Sequence, residues 1–277
     1  MAETTDSHEV FSTAGETPVI EFRNVSITFD RDPVLKNVSF QVNRGETRLL
    51  LGPAGGGKSV LMKLANGLLK ADAGQVCVFG QDLAGLTERE MFALRARIGM
   101  VFQESALFDS MDVKDNVSYR LHEEHVDETE IHTRVTEALR FVELERAIDK
   151  FPSELSGGMR RRVSIARAII SRPELILYDS PTGGLDPITS NTIVELVVKQ
   201  RDVSRATALL ITHRLQDAFT LATHRFNSTT GHMEPIPDHG IDAGTRFLVL
   251  HGGEVVFDGN TRELTHSQDP FLKQFLT

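Results

Sequence analysis

Short apolar runs and helical periodicities alternate along this chain. In the N-terminal third, apolar residues favour strands at 19–24 and 38–42, and residues 30–33 between them are turn formers. A third apolar run, 47–51, ends at a glycine-rich stretch, after which residues 58–69 carry apolar side chains at helical spacing. This part of the chain is therefore predicted to contain a strand, a glycine-rich turn and a helix in direct succession.

The same alternation resumes in the C-terminal half. The pattern predicts a strand, a helix, a strand, a helix and a two-stranded hairpin, at 175–178, 188–202, 207–211, 215–222 and 247–257. Parallel strands that alternate with helices form a doubly wound core, so the predicted fold class is α/β. The sequence shows no internal repeat, and we expect one such domain in the chain.

Between about residues 104 and 172 the pattern changes. Helical periodicity covers 128–142 and 157–171. We interpret this stretch as a mostly helical lobe inserted into the α/β domain.

The glycine-rich stretch has the spacing of a phosphate-binding loop. Successive glycines allow backbone N–H groups to converge on phosphates at the positive end of the following helix. The Lys58 ammonium would reach the β- and γ-phosphates, and the Ser59 hydroxyl would bind Mg²⁺. The residues expected to bind ATP here are Gly52, Pro53, Ala54, Gly55, Gly56, Gly57, Lys58 and Ser59.

A second motif opens the helix predicted at 157–171. It reads Leu-Ser-Gly-Gly-Met over 155–159 and is followed by three arginines, 160–162. Together, in this order, the two motifs resemble the ATP-binding subunits of ABC transporters, and the resemblance covers about residues 18–265. It implies a P-loop NTPase core with a mainly parallel sheet, an antiparallel β part and the inserted helical lobe.

In that family the LSGGM motif contacts the nucleotide held by a second subunit. The resemblance therefore implies a head-to-tail dimer with two ATP molecules at the interface, contacted by Ser156, Gly157 and Gly158 of the opposite copy. We interpret the arginines at 160–162 as positive charge at the dimer seam or as partners of nearby acids. A nucleic-acid patch is the disfavoured alternative.

The resemblance assigns roles to further residues. Asp179 follows a buried strand and would hold Mg²⁺. Gln103 would contact Mg²⁺ and join the core to the lobe, and His213 would hydrogen-bond the γ-phosphate. Asp186 ends a loop that crosses the dimer interface in that family. Phe29 matches the aromatic that stacks on adenine, although a plain core aromatic is the alternative.

One position departs from the family pattern. After Asp179 the family has a glutamate that polarises the attacking water, and this chain has Ser180. A serine hydroxyl cannot accept a proton at neutral pH, and a general base contributes about 10²–10⁴ in rate. We therefore expect slow hydrolysis and long-lived nucleotide-bound dimers, with His213 as the main group arranging the water.

The stretch 224–245 is polar, contains proline and glycine, and exceeds the family pattern. We expect it to be a surface loop. Its histidines, His224, His232 and His239, do not match a standard metal-ligand spacing, so a metal site is disfavoured and a partner contact is the alternative.

Composition narrows the class of protein. At 277 residues and net charge −9, the chain suits one acidic globular domain and argues against a general nucleic-acid surface. The single cysteine, Cys77, excludes a disulfide framework. Residues 1–17 and 266–277 are expected to be terminal tails. The chain has no apolar stretch of bilayer length, so a separate permease would have to supply the membrane part.

Two segments resemble one subgroup in particular, the ATPases of the Mla/Mce phospholipid-transport systems. They are residues 100–113 and the LSGGM motif with its arginines. The apolar side chains Ala106, Leu107, Phe108 and Met111 would form a groove for a short permease helix. This resemblance implies a peripheral position at the cytoplasmic face of the inner membrane, with a permease and an Mce-type lipid-binding protein as partners.

Three other functions remain open at this point. One is a nucleotide-gated clamp with little turnover, which Ser180 suggests. Another is the ATPase of a small-solute importer. A soluble ABC protein of translation or DNA repair is disfavoured, because such proteins usually have tandem ATPase domains or long coiled-coil insertions.

Overall fold

The computed structural model of the chain describes residues 17–276. Its central sheet has six strands, in spatial order β12 (Glu254–Asn260), β11 (Thr245–His251), β3 (Thr47–Leu51), β8 (Thr207–Ile211), β7 (Leu175–Asp179) and β6 (Ile98–Val101). The strands from β11 to β6 run parallel, and β12 pairs antiparallel with β11. This sheet gives the doubly wound α/β core that the alternating pattern predicted.

A second, antiparallel sheet lies beside the first. It consists of β2 (Asp32–Val42), β1 (Ile20–Phe29), β4 (Ala73–Val78) and the two-residue β5 (Gln81–Asp82). The first two strands are longer than their apolar runs predicted, because the turn between them is only Asp30 and Arg31, both with positive φ. Cys77 in β4 is buried. The inner face packs on the helices α1 (Lys58–Ala65) and α2 (Glu88–Arg95) and on the central sheet.

The middle of the chain is helical, as expected for the inserted lobe. It contains α3 (Val113–Glu123), α4 (Glu128–Phe141) and α5 (Gly157–Ile169). Their apolar faces share one core with the other side of the central sheet and with α6 (Pro187–Ser204) and α7 (Leu215–Thr223). Periodicity identified α4, α5 and α6 within a few residues, because each has a continuous apolar stripe.

The stretch expected to be a surface loop at 224–245 contains a β-hairpin instead. Its strands are β9 (His224–Asn227) and β10 (His232–Pro235). Two side chains of α6 hold it: the backbone N–H of Phe226 donates to Asp202 Oδ2 at 2.7 Å, and that of Met233 to Glu195 Oε1 at 2.8 Å. The pattern missed it because each strand is only four residues long, and the side chains that pack on the core, Phe226 and Met233, do not form an apolar run.

The C-terminal segment is also packed rather than a bare tail. After β12 come α8 (Thr261–Thr265) and α9 (Pro270–Phe275). The Phe271 ring lies 3.9 Å from the His251 ring, between centroids, and Leu272 is buried. The predicted N-terminal tail, 1–17, lies outside the described residues except for its last position. Among the helices of residues 17–276, none has the length and apolar character needed to cross a bilayer.

Candidate functional site

The order of strands in the central sheet brings the candidate residues together. Leu50 of β3 pairs with Ile211 of β8, Ile211 with Asp179 of β7, and Tyr178 of β7 with Val101 of β6. Since these strands are parallel, their carboxyl ends share one edge of the sheet, where α/β folds bind their ligands. The phosphate loop, His213, Asp179, Ser180 and Gln103 all follow directly at that edge.

The phosphate loop joins β3 to α1 in a conformation that requires glycine. Gly52 has φ +142°, and a Cβ there would lie 2.2 Å from the carbonyl oxygen of Leu250. Gly57 has φ +87°, and a Cβ there would lie 2.7 Å from Cδ2 of Leu35. The loop is thus wedged between β11 and β2. The N–H of Gly56 donates to the carbonyl of Pro53 at 3.2 Å, within the loop.

The start of α1 has free hydrogen-bond donors. None of the hydrogen bonds formed by residues 17–276 uses the backbone N–H groups of Gly55, Gly57, Lys58 or Ser59, and no side chain caps this helix. Unpaired donors at the positive end of a helix form an anion site. The loop therefore fits the phosphates of a nucleotide. Ala54 and Ser59 are exposed at its rim.

Lys58 points back across the loop. Its ammonium donates to the carbonyl oxygens of Gly52 at 2.8 Å and Pro53 at 2.7 Å, and the residue is 4% exposed. Burial lowers the pKa of Lys58, and the charge of Asp179 opposes this. The ammonium is held by neutral carbonyls alone, so a phosphate oxygen offers it the stronger, charge-assisted hydrogen bond.

Asp179 and Ser180 lie opposite the loop, at the end of β7. Burial raises the pKa of Asp179, against the hydrogen bond from Ser180 and the charges of His213, Lys63 and Lys58. A cation beside this carboxylate would favour its charged form, as a metal ligand requires. Ser180 is 3% exposed and has φ +47°, a left-handed conformation that non-glycine residues seldom adopt.

The ring of His213 interacts electrostatically with Asp179 and Lys58. Partial desolvation, and then the charge of Lys58, lowers the pKa of His213, while Asp179 opposes the shift. The imidazole is therefore neutral at pH 7, with one nitrogen that donates and one that accepts. Such a ring can hydrogen-bond a phosphate oxygen and a water molecule together.

Gln103 lies on the other side of Asp179, two residues after β6. Its side chain covers Gly183, where a Cβ would lie 3.4 Å from Cγ of Gln103. The loop 181–186 is held from beneath by Thr182, whose hydroxyl donates to Asp217 Oδ2 at 2.6 Å. Both residues of that pair are buried. The sequence singled out neither, since a threonine and an aspartate in separate elements carry no pattern.

The LSGGM motif lies at the start of α5, beside α6. Ser156 caps α5 by accepting the N–H of Met159 at 3.2 Å, and Asp186 caps α6 by accepting those of Ile188 and Thr189. A Cβ on Gly157 would lie 3.8 Å from Cδ2 of Leu185. Within the described part of the chain, no hydrogen bond joins Ser156, Gly157 or Gly158 to the phosphate loop, and the N–H groups of both glycines lack acceptors.

The three arginines after LSGGM bind backbone carbonyls rather than acids, which corrects the interpretation as partners of nearby acids. Arg160 donates to Leu155 O at 2.6 Å, and Arg162 donates to Val142 O at 3.2 Å. Arg161 is buried and reaches carbonyls of the loops after β6 and β7. The sequence could not separate these roles, because only the rotation of α5 decides which arginine faces the core. Phe29, at the end of β1, is 41% exposed and available for stacking.

Comparison with known proteins agrees with this geometry. A family model described as "ABC transporter" matches residues 35–183. The protein TRIGALACTOSYLDIACYLGLYCEROL 3, chloroplastic, of Arabidopsis thaliana is 38% identical over 94% of this chain and 73% of its own length. The intermembrane phospholipid transport system ATP-binding protein MlaF of Haemophilus influenzae is 32% identical over 93% of this chain and 90% of its own length.

Other relatives and solved structures share the fold. The methionine import ATP-binding protein MetN 1 of Staphylococcus aureus is 41% identical over 94% of this chain and 71% of its own length. The ATP-binding cassette MJ0796, solved as a dimer bound to ADP and Pi, is 28% identical with a TM-score of 0.72, covering 87% of this chain and 98% of its own. With the phosphate loop, the LSGGM helix and the shared sheet edge in place, the chain belongs to the ABC transporter family and is an ATP-binding, ATP-hydrolysing subunit of that class.

Proposed function

We propose that this chain drives phospholipid movement as the ATPase subunit of a membrane transporter, working as a head-to-tail dimer on a separate permease. The observation that carries the proposal is the apolar surface after Gln103, together with two relatives that align with more than nine-tenths of this chain. One of these relatives is named as a phospholipid transport ATP-binding protein. The subunit would lie at the cytoplasmic face of the membrane, bound to the permease.

The first step is nucleotide binding. The unpaired N–H groups at the start of α1 and the Lys58 ammonium would bind the phosphates, and Phe29 would stack on the base. Mg²⁺, when bound, neutralises charge on the phosphates. Ser59, Gln103 and Asp179 would supply the oxygen ligands that hold it.

The second step is dimer closure. Ser156 and Gly157 are exposed and Gly158 is half-buried, and the N–H groups of the two glycines have no acceptor among residues 17–276. Because they open a helix of 13 residues, they form a second anion site. In a head-to-tail dimer this site would contact the γ-phosphate bound by the partner's loop.

The third step is hydrolysis, which we propose is slow. The Ser180 hydroxyl lies 3.5 Å from Asp179 Oδ1 and cannot accept a proton. A neutral His213 can orient the water, so positioning and charge stabilisation remain, and these dominate phosphoryl transfer. Closed dimers should therefore persist after ATP binding.

The fourth step is transmission to the permease. The loop 104–112 exposes Ala106 and Phe108, with Leu107 and Met111 half-buried beside them. The Phe108 ring packs on Tyr119 at 4.9 Å between centroids, and both rings are more than a third exposed. An exposed apolar surface of this kind would suit the apolar face of a short amphipathic helix. We propose that the permease docks here.

Copurification of the full chain from native membranes tests the assignment. We expect a permease and an Mce-type lipid-binding protein to accompany the wild-type chain. Phe108→Asp should release them while ATP binding is kept, and Val203→Asp, at an exposed apolar position on α6, is the matched control. Reconstituted into vesicles, the complex should move labelled phospholipid only with ATP. Transport of a small solute with no lipid movement would overturn the proposal.

One observation favours a second candidate. MetN 1 of Staphylococcus aureus is 41% identical over 94% of this chain, a higher identity than that of MlaF. Its name describes methionine import. An importer of small solutes would copurify with a solute receptor, so the same experiment decides between the two candidates.

A further inference from the structure

Arg161 contacts three segments of the candidate site at once. Its Nη1 donates to the carbonyl oxygen of Ser180 at 3.1 Å. Its Nη2 donates to the carbonyl of Gln103 and, at 3.4 Å, to that of Gly183. One guanidinium therefore holds three segments together. They are the loop after β6, the residue after Asp179, and the loop that crosses the proposed dimer interface.

The environment of this arginine is unusual for a structural cation. Arg161 is 4% exposed, and its acceptors are neutral carbonyls; among residues 17–276 it forms no ion pair. Its Nε is buried and has no acceptor in that part of the chain. Burial lowers the pKa of Arg161, while the more distant charges of Glu104 and Asp179 oppose the shift. Burying a charge without an adjacent counter-ion costs stability, so a functional gain should offset this cost.

A second arginine of α5 also binds the loop after β6. Arg167, six residues further along α5, donates to the carbonyls of Ala106 at 2.7 Å and Ser105 at 2.9 Å. Ser105 and Ala106 both have positive φ, so this loop holds a conformation that needs external support. A rotation of α5 must therefore move the loop from Gln103 to Ala106 with it.

α5 begins at Gly157 and Gly158, the residues proposed to bind the partner's nucleotide. We propose that Arg161 is a positioning residue that couples the two ATP sites of the dimer. It ties the helix end that contacts one nucleotide to Gln103, Ser180 and Gly183, which face the other. The inference rests on the proposed head-to-tail dimer and adds a communication role that the arrangement of ATP-binding residues alone does not supply.

Coupling of this kind has a measurable consequence. ATP bound at one site would hold α5 of the opposite subunit, and Arg161 would then hold Gln103 and the backbone of Ser180 in place at the second site. Occupancy of one site thereby favours the competent arrangement of the other, which is positive cooperativity between identical sites. Loss of the arginine should leave two sites that bind ATP but act independently.

The test compares Arg161→Lys and Arg161→Gln with Arg162→Gln in the full chain. Lysine keeps the charge but cannot reach three carbonyls, and glutamine keeps one donor group. Arg162 is the matched control because it donates only to Val142 O and Glu143 O, in the lobe. The measurements are ATP affinity without dimerisation, ATP-dependent dimer formation, the rate and Hill coefficient of hydrolysis, and the melting temperature.

We expect both Arg161 variants to bind ATP within about threefold of wild type, to hydrolyse it at least about tenfold more slowly, and to show a Hill coefficient reduced to one. Arg162→Gln should keep the wild-type Hill coefficient. An unchanged Hill coefficient in both Arg161 variants would overturn the inference. So would unfolding of both, or an equal loss in Arg162→Gln, because each would indicate a purely structural role.

The two proposals fail in different ways. A wild-type chain that binds ATP but never dimerises with it would contradict the proposed function, and the coupling inference would fall with it. A wild-type chain that dimerises cooperatively, beside Arg161 variants that do the same, would contradict the coupling alone.

Discussion

Gly158 of the LSGGM helix and Thr189 of α6 are in such close contact that no side chain fits between them. A Cβ on Gly158 would lie 2.4 Å from Cγ2 of Thr189. Thr189 is fixed in turn, because its hydroxyl donates to Asp186 Oδ2 at 2.5 Å. The first turn of α5, which we propose contacts the partner's nucleotide, is thus positioned by its packing on the start of α6.

Gly158→Ala should therefore destabilise the subunit. Overpacking of a tight contact costs about 1–3 kcal/mol, and the Thr189 side chain cannot rotate away without losing its bond to Asp186. Thr189→Ser removes Cγ2 and keeps the hydroxyl, so the double variant should regain most of the lost stability. Thermal or urea unfolding of the four proteins in this cycle gives the coupling energy directly.

Gly157→Ala is the control for this cycle. A Cβ there meets only Cδ2 of Leu185 at 3.8 Å, an ordinary contact. We expect its melting temperature to stay close to that of wild type. A Gly158→Ala protein as stable as Gly157→Ala would contradict the packing argument.

Ser180→Glu should raise ATP hydrolysis of the assembled transporter at least several-fold. A carboxylate restores the missing proton acceptor, and a general base contributes about 10²–10⁴ in rate. The measurement is steady-state phosphate release at saturating ATP. Ser180→Ala, which removes the hydroxyl and adds no base, should change the rate much less. A Ser180→Glu protein that hydrolyses ATP no faster than wild type would contradict the proposal that the missing carboxylate makes hydrolysis slow.

Lys58→Ala should abolish measurable ATP binding at micromolar nucleotide. A hydrogen bond to a charged group contributes about 1.5–3 kcal/mol, so loss of the ammonium from the phosphates should weaken affinity on the order of 100-fold. Equilibrium binding of a fluorescent ATP analogue measures this. Lys70→Ala, at an exposed position after α1, should bind normally. Equal ATP affinity of Lys58→Ala and Lys70→Ala would show that Lys58 does not contact the bound nucleotide.

The pH dependence of hydrolysis should report on His213. Desolvation and Lys58 lower its pKa below the ordinary value near 6.5, so the ring stays neutral throughout the neutral range. We expect a flat rate near neutral pH and a decline only as pH falls through the lowered pKa, where the protonated ring can no longer accept from water. His213→Gln should be slower and lack that decline.

The same shift affects stability, so folding must be checked across the profile. A histidine whose folded pKa lies below its unfolded value destabilises the folded state as pH falls, since the unfolded chain binds the extra proton. Melting temperatures at each pH separate this loss from the change in rate. A rate that falls for wild type and His213→Gln alike would assign the decline to another group.

The sequence predicted β3, β7, β8, β11 and β12 of the central sheet from their apolar runs, but it missed β6 at its edge. Residues 208–211 and 175–178 are uninterrupted apolar runs, and both lie in strands of the core. The hairpin at 224–235 escaped prediction, since it is held by Asp202 and Glu195 of α6 and by two isolated apolar side chains, Phe226 and Met233. A contact between elements so far apart in sequence leaves no periodic signal.

The candidate site was accessible from sequence only where a motif fixes the spacing of residues. The glycine-rich loop and the helix after it predicted the position of Lys58. The ends of two buried strands predicted the positions of Asp179 and His213. The buried pair Thr182 and Asp217, and the inward turn of Arg161, depend on three-dimensional packing. They became visible only once the strand order placed these segments side by side.

The left-handed turn at Ser180 has one more consequence. Its N–H donates to Ile211 O at 3.0 Å, and its carbonyl accepts from Gly183 N at 2.9 Å and from Arg161. On the side of Ser180 these three bonds use only main-chain atoms, so the conformation does not depend on which side chain stands at this position. If residue 180 sets the rate of hydrolysis as we propose, a slow enzyme and a fast one can share the same backbone.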